Sequence, residues 1–243
     1  MTRKTGAGSG RVASRILGID VGATGLKVGI INGKGEFIRD KIRVKTPHPC
    51  PPPVLIETLL EMVASFPKYS HIAVGFPGYV RDGKVITAPN LGTEDWAGFP
   101  LAATLARRLG KPTRMVNDAD MQGLAVVKGK GLEFVITLGT GFGTAWFYNA
   151  QLLPHIELAH HPIRDGQEYD DYLGDATRKK IGNKEWVRRV EKTIPVLKRV
   201  FNYDHLYIGG GNARHLKAKL PPFVTIVSND AGMEGGAWLW NPR

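Results

Sequence analysis

The sequence predicts an α/β protein of two similar lobes with a cleft between them, and two observations carry that expectation. β-rich apolar runs and helical patterns alternate along almost the whole chain. Two glycine-turn hairpins also share one spacing: Asp20, Gly22 and Asn32 align with Thr137, Gly139 and Asn149, each pair 117 residues apart. A shared offset over both strands and the turn reads as duplication of one unit. The 243 residues, 42% hydrophobic, suffice for two such cores.

Taken in order, MTRKTGAGSGRVAS reads as a flexible tail over residues 1–14. ILGIDVGATGLKVGII follows as the first hairpin, and FIRDKIRVK as a third strand. The proline-rich TPHPCPPP leads into VLIETLLEMVASF, which has apolar residues at helical spacing, and HIAVGF returns as a strand. GFPLAATLARRLG is a helix closed by Gly110, TRMV a short strand, and DADMQGLAVVKG a helix with an acidic N-cap. The lobe boundary is expected near 116–118, giving lobes over 15–116 and 117–243, with the last helix able to pack back on the first. EFVITL and TAWFYN form the second hairpin. YDDYLGDATRKKIG and KEWVRRVEKTIPVLKRVF read as helices, the second kinked or broken at Pro195. DHLYIGGG, a short helix, FVTIV and the helix AGMEGGAWLW complete the alternation.

Composition narrows the function classes. A single cysteine, Cys50, excludes an intrachain disulfide and a zinc site of several thiolates, so a cytoplasmic location is expected. No apolar run approaches a membrane span and no signal-peptide pattern is seen, so no membrane partner is expected. The formal charge of +11 draws polyanions to the surface, or serves solubility alone.

Five groups of residues could carry chemistry. DVGATG places Asp20 at the end of a buried strand, followed by glycines whose N–H groups can approach a phosphate, with Thr24 and Lys27 adding a hydroxyl and a charge. LGTGFGT supplies a second nest from Gly139, Thr140, Gly141, Gly143 and Thr144. Two facing phosphate loops suggest phosphoryl transfer, although each alone is equally a plain turn. Gly209, Gly210 and Gly211 after a strand fit either an adenine pocket or a turn needing unusual dihedrals. Asn117 and Asp118 sit where a strand meets a helix, so Asp118 is a general base for a sugar hydroxyl or simply a helix cap. PHIELAHH gathers His155, Glu157, His160 and His161, readable as sugar contacts, a metal site or structure. Trp96 stacks on a sugar or packs under a loop, and RKK and VRRVEK bind an anionic polymer or are solvated helix faces.

Together LGIDVGATGLKVGI, VGFPGYVRDGKVITAPNL, VNDADMQGLA, ITLGTGFGTA, LPHIELAHHPI, LYIGGG and SNDAGMEGGA resemble, in collinear order, the ROK family of sugar kinases and regulators, and within it the branch that uses polyphosphate. The resemblance implies an actin-like (ribonuclease H-like) fold of the sugar kinase/hexokinase type, with a hexose between the lobes. It implies Asp118 as catalytic base, and Asn90, Asn117, Glu157 and His160 as ligands of sugar hydroxyls. Asp20, Gly22, Thr24, Gly25 and Lys27 match the first phosphate loop, Asp20 acting on Mg²⁺ through water. Gly139, Thr140 and Gly141 match the second loop, and Gly209, Gly210 and Gly211 the adenosine turn. The implied reaction takes glucose, with mannose as a second candidate, to the 6-phosphate using polyphosphate or ATP.

Departures from the family pattern are Ala23 and Ala159, each where a glycine is usual, and His161 with Pro162. The family's cysteine-rich zinc motif is missing, so no zinc is expected. Nor is a nucleic-acid partner, because the first loop begins by Asp20, with no room for a DNA-binding domain ahead of it. Homodimers are common in the family, and AWLW could pack at an interface or in the core.

Overall fold

The computed structural model describes residues 15–216, 220–228 and 231–242; the segment expected to be a tail lies outside them. In chain order the first half holds β1 (Arg15–Val21), β2 (Leu26–Asn32), β3 (Ile42–Val44), α1 (Pro52–Val63), β4 (His71–Phe76), the two-residue strands β5 (Val80–Arg81) and β6 (Lys84–Val85), α2 (Leu101–Leu109) and β7 (Thr113–Asn117). The second half holds α3 (Asp118–Val126), β8 (Leu132–Leu138), β9 (Phe142–Tyr148), β10 (Gln151–Leu152), a 3-10 turn Leu158–His160, β11 (Pro162–Arg164), β12 (Gln167–Glu168), α4 (Tyr169–Leu173), α5 (Asp175–Ile181), α6 (Asn183–Phe201), β13 (His205–Gly209), a 3-10 turn Ala213–His215, β14 (Val224–Ile226), α7 (Ala231–Glu234) and α8 (Gly236–Trp240).

These strands build two five-stranded sheets of one topology, β3-β2-β1-β4-β7 and β10-β9-β8-β13-β14. Each has an antiparallel hairpin whose first strand pairs in parallel with one further strand, β4 or β13, which pairs in parallel with another, β7 or β14. The repeat is therefore structural, but the constant sequence offset holds only through the first strand and the turn glycine. Asp20 pairs with Lys27 and Thr137 with Gly143, so the second turn is one residue shorter. Asn32 thus corresponds to Tyr148, not Asn149.

Alternation in β1 and β2 sends Leu17, Ile19, Val21, Leu26, Val28 and Ile30 into a core with α1 and α2. Each fully buried large apolar side chain there contributes roughly 2 kcal/mol. Trp96 belongs to this core: it is 1% exposed, its Nε1 donates to the Cys50 carbonyl at 2.9 Å, and it packs on Phe76 and Phe99, so it is a packing residue. In the second half, α4 and α6 cover one face of the sheet through Tyr169, Leu173, Trp186, Val190, Ile194 and Leu197. α6 runs through Pro195 without a break. Buried residues before and after the proline hold the helix to one core, and Pro195 itself is exposed.

Helix α3 is wedged between the sheets. Met121 packs with Ala73 and Met233 beside the first, and Ala119 and Leu124 with Val135 and Phe147 beside the second. Its cap is Asn117, whose Oδ1 accepts from the Ala119 N–H at 2.8 Å, with Asp118 the first helical residue. The expected acidic cap is corrected accordingly: either neighbour can cap, but Asn117 is the one in extended conformation. The C-terminal pattern splits at Gly235 into α7 and α8, which lie on β1 and β4. Trp240 donates to the Ile72 carbonyl at 3.1 Å and stacks with His71, so the chain ends against the first sheet.

Candidate active site

The C-terminal ends of β1, β7, β8 and β13 face one cleft of about 610 Å³, the crevice position where ligands bind in open α/β sheets. Asp20, Gly22, Thr24, Gly25, Lys27, Asn90, Asn117, Asp118, Gly139, Thr140, Gly141, Glu157, His160, Gly210 and Gly211 all line it. Gly209 does not. It is the last, buried residue of β13, paired with Thr137, and a Cβ there would stand 2.5 Å from the Gln122 side chain. Its glycine makes room for α3 rather than for a ligand.

The first loop closes through Gly22 N–H to the Gly25 carbonyl at 3.1 Å, the second through Gly139 N–H to the Gly141 carbonyl at 3.1 Å. Lys27 binds Asp20 at 2.8 Å. In the second loop Asp170 accepts from the Phe142 N–H at 2.5 Å and fills the space a Gly141 side chain would need. Gly210 adopts φ +84°, and a Cβ there would meet the Leu138 carbonyl at 2.4 Å, so only glycine fits the turn. Asn212 bonds the Gly139 carbonyl at 3.1 Å and Asp175 at 3.0 Å, joining this turn to the second loop.

Asp118 stands between the loops with its Oδ1 accepting from the Ala119 N–H at 2.8 Å. Burial, then the negative charge of Asp20, raise its pKa to about 7 against the opposing pull of that N–H; Asp120 and Glu157 push the same way as Asp20. A carboxylate so poised can take a proton near neutral pH. Asn117 reaches the cleft, but its Nδ2 already donates to the Gly78 carbonyl at 3.0 Å, so it holds the 77–78 turn as well as capping α3.

The histidine-rich stretch divides instead of converging. His160 turns to Glu168 at 2.9 Å, while His155 lies between Asp120 at 3.1 Å and Glu157 at 3.5 Å and stacks on Tyr79. Among the described residues no three His, Cys, Asp or Glu side chains form a metal-binding group. Burial alone would lower the His155 pKa, but the hydrogen bonds its ring donates to Asp120 and Glu157 outweigh it and raise the value to about 10, so the ring is an imidazolium. Its side chain is 5% exposed and that of Asp120 4%. Replacing His155 with Gln strands two carboxylates and is expected to cost about 3 kcal/mol, a fall of roughly 6–12 °C in melting temperature for a chain of this size. Because the folded pKa is raised, the stabilisation is complete below pH 6.5 and is lost towards pH 10. Melting curves across that window check this: the variant's curve should lack that loss.

Several cleft residues escaped the sequence reading, among them Arg43, Asp170, Asp175, Arg178, Lys179, Asn212 and Arg214. The RKK segment reads from sequence as a contact for an anionic polymer or a solvated face. Arg178 and Lys179 line the cleft, both bonded to Asp175, whose pKa their hydrogen bonds lower to about 2. Both lie in the last turn of a short helix flanked by Gly174 and Gly182.

Two duplicated lobes with paired glycine loops and a carboxylate at the crevice define an actin-like sugar-kinase fold. Residues 16–155 match the ROK family, and the chain belongs to it. It is 31% identical over 237 residues to a polyphosphate glucokinase of Mycobacterium tuberculosis, covering 90% of this chain and 89% of that one. The crystal structure of an inorganic polyphosphate/ATP-glucomannokinase from Arthrobacter sp. strain KM superposes with a TM-score of 0.84 at 31% identity, covering 94% of this chain and 98% of that chain. A ROK family glucokinase from Streptomyces griseus, solved with glucose and AMPPNP, shares the fold at 19% identity and a TM-score of 0.74, covering 95% of this chain and 100% of that chain. No helix among the described residues is long and apolar enough to cross a membrane.

Proposed function

We propose that the chain phosphorylates glucose at O6, with inorganic polyphosphate or ATP as donor, and releases glucose 6-phosphate. The observation that carries this is Asp118, held near neutral pKa between two glycine loops in the cleft. The polyphosphate glucokinases and the glucomannokinase to which the chain is similar support the choice of sugar and donor.

In this reading Asn90, Asn117, Glu157 and His160 present amide, carboxylate and imidazole groups to the sugar hydroxyls. Asp118 accepts the O6 proton as the hydroxyl attacks the terminal phosphoryl group. The N–H groups at 23–25 and 140–141, beyond those of Gly22 and Gly139 that close the loops, stabilise charge on the transferred group. The Asp20 carboxylate is a hard oxygen donor with a charge strong enough to shift Asp118, which fits a divalent cation. Mg²⁺ held there, when bound, neutralises donor oxygens. Gly210 and Gly211 offer bare backbone for a nucleoside, which keeps ATP as a donor. The proposal places the reaction in the cytoplasm, where the single, buried Cys50 stays reduced.

Donor and charge are tested together by measuring KM for polyphosphate and for ATP at increasing ionic strength. A long polyanion releases more counterions from a basic surface than a triphosphate does, so its KM is expected to rise more steeply with salt. Equal slopes would remove the electrostatic argument for the polymer.

A further inference from the structure

Strand β3 lies at the edge of the first sheet, and its residues alternate in direction. Ile42 and Val44 pack against the core. Arg43, between them, turns to the opposite face, in register with Lys27, which is in register with Asp20. The three form one row across the sheet, and all three line the cleft. Two cations directly opposite one another on neighbouring strands repel. Lys27 is relieved by Asp20 at 2.8 Å, whereas Arg43 has no acidic or hydrogen-bonding partner among the described residues.

Arg43 is nonetheless held against the loop. Its Nε lies 2.9 Å and its Nη2 3.2 Å from the point where a Cβ on Gly25 would stand. Gly25 does not adopt a positive φ, so its backbone conformation does not call for glycine. The guanidinium occupies the space that a side chain at position 25 would take. Lys27 and Asp20 cancel each other, so Arg43 is the net positive charge of the first loop. Across the cleft, Arg178 and Lys179 are both drawn to Asp175.

We infer that Arg43 is a phosphate-binding residue of the first loop, gripping the terminal phosphoryl groups of the donor, and that Gly25 is glycine to let the guanidinium lie there. The inference rests on the reading of 22–25 as a phosphate loop. A planar guanidinium offers parallel N–H donors that match two phosphoryl oxygens, which a lysine cannot reproduce.

The test is calorimetric titration of the intact protein with tripolyphosphate, paired with steady-state kinetics, on wild type, Arg43→Gln, Arg43→Lys, Gly25→Ala and the Gly25→Ala/Arg43→Gln double variant. Arg43→Gln is expected to weaken tripolyphosphate binding and raise the donor KM by about 10- to 100-fold, with the glucose KM within about twofold of wild type. Arg43→Lys recovers only part of the loss. Gly25→Ala displaces the guanidinium and moves the same parameters in the same direction, and the double variant is no worse than the more affected single variant, because both changes remove one interaction. Tripolyphosphate binding and donor KM unchanged in Arg43→Gln, with wild type active, would overturn the inference and leave the proposed reaction standing. If wild type binds neither tripolyphosphate nor ATP, the loop is not a phosphate site and both readings fall.

Discussion

Asp118→Asn is expected to lower kcat by about 10²- to 10⁴-fold, the range a positioned general base contributes, while glucose binding stays close to wild type. The substitution is nearly isosteric. An asparagine Oδ1 can still accept from the Ala119 N–H, which Asp118 now does at 2.8 Å, so α3 keeps its first turn. What disappears is a group able to hold a proton. In wild type the pKa of about 7 follows from burial and the facing charge of Asp20, so kcat/KM should rise with pH through about 7 as the carboxylate ionises. The variant should lose that limb. Turnover within about tenfold of wild type, with the limb intact, would show that the proton goes elsewhere.

The second large effect concerns stability and comes from a glycine far from any ligand. Gly235 joins α7 to α8 with ordinary helical dihedrals, φ −58° and ψ −24°, so alanine meets no conformational penalty. Its Cβ, however, would stand 1.7 Å from the Met121 carbonyl and 3.2 Å from the Ala125 nitrogen, both backbone atoms of α3. Neither can swing aside as a flexible side chain could. Gly235→Ala is therefore expected to destabilise the protein by about 3 kcal/mol through overpacking, or roughly 6–12 °C in melting temperature. Because α3 begins with Asp118, kcat should fall as well, whereas an alanine at the exposed Gly98, whose added Cβ meets nothing within 4 Å, strains only its own backbone. A melting temperature within about 2 °C of wild type would mean that α7 and α8 are not seated on α3 as described.

How much of this was legible beforehand follows from the range of each signal. β1 with β2, and β8 with β9, announced themselves as apolar runs around glycine turns, because period-two patterning and turn chemistry are local. The register slip between the repeats, from Asn149 to Tyr148 as the partner of Asn32, was not visible, since one residue less in a turn leaves both strands looking alike. Asn117 and Asp118 are adjacent and both can cap a helix, so only backbone conformation decides that Asn117 does. Gly209 was grouped with Gly210 and Gly211 because three glycines in a row look equivalent, while the sheet pairs the first with Thr137 and exposes the others to the cleft.

What was not legible depends on pairing across the sequence. His155 stood out only as part of the histidine-rich stretch, and its partner Asp120 is brought to it by α3 and the segment after β10. Arg43 carries no local signal, because only the register of three strands sets it beside Lys27.

The proposed mechanism rests on phosphoryl transfer to glucose in this cleft. The most direct measurement is glucose 6-phosphate formation by the purified chain with glucose and Mg²⁺, with polyphosphate and ATP supplied in parallel. Product with polyphosphate, strongly reduced in Asp118→Asn, is the predicted result. Absence of product with both donors across several hexoses, from a folded protein, would contradict the account.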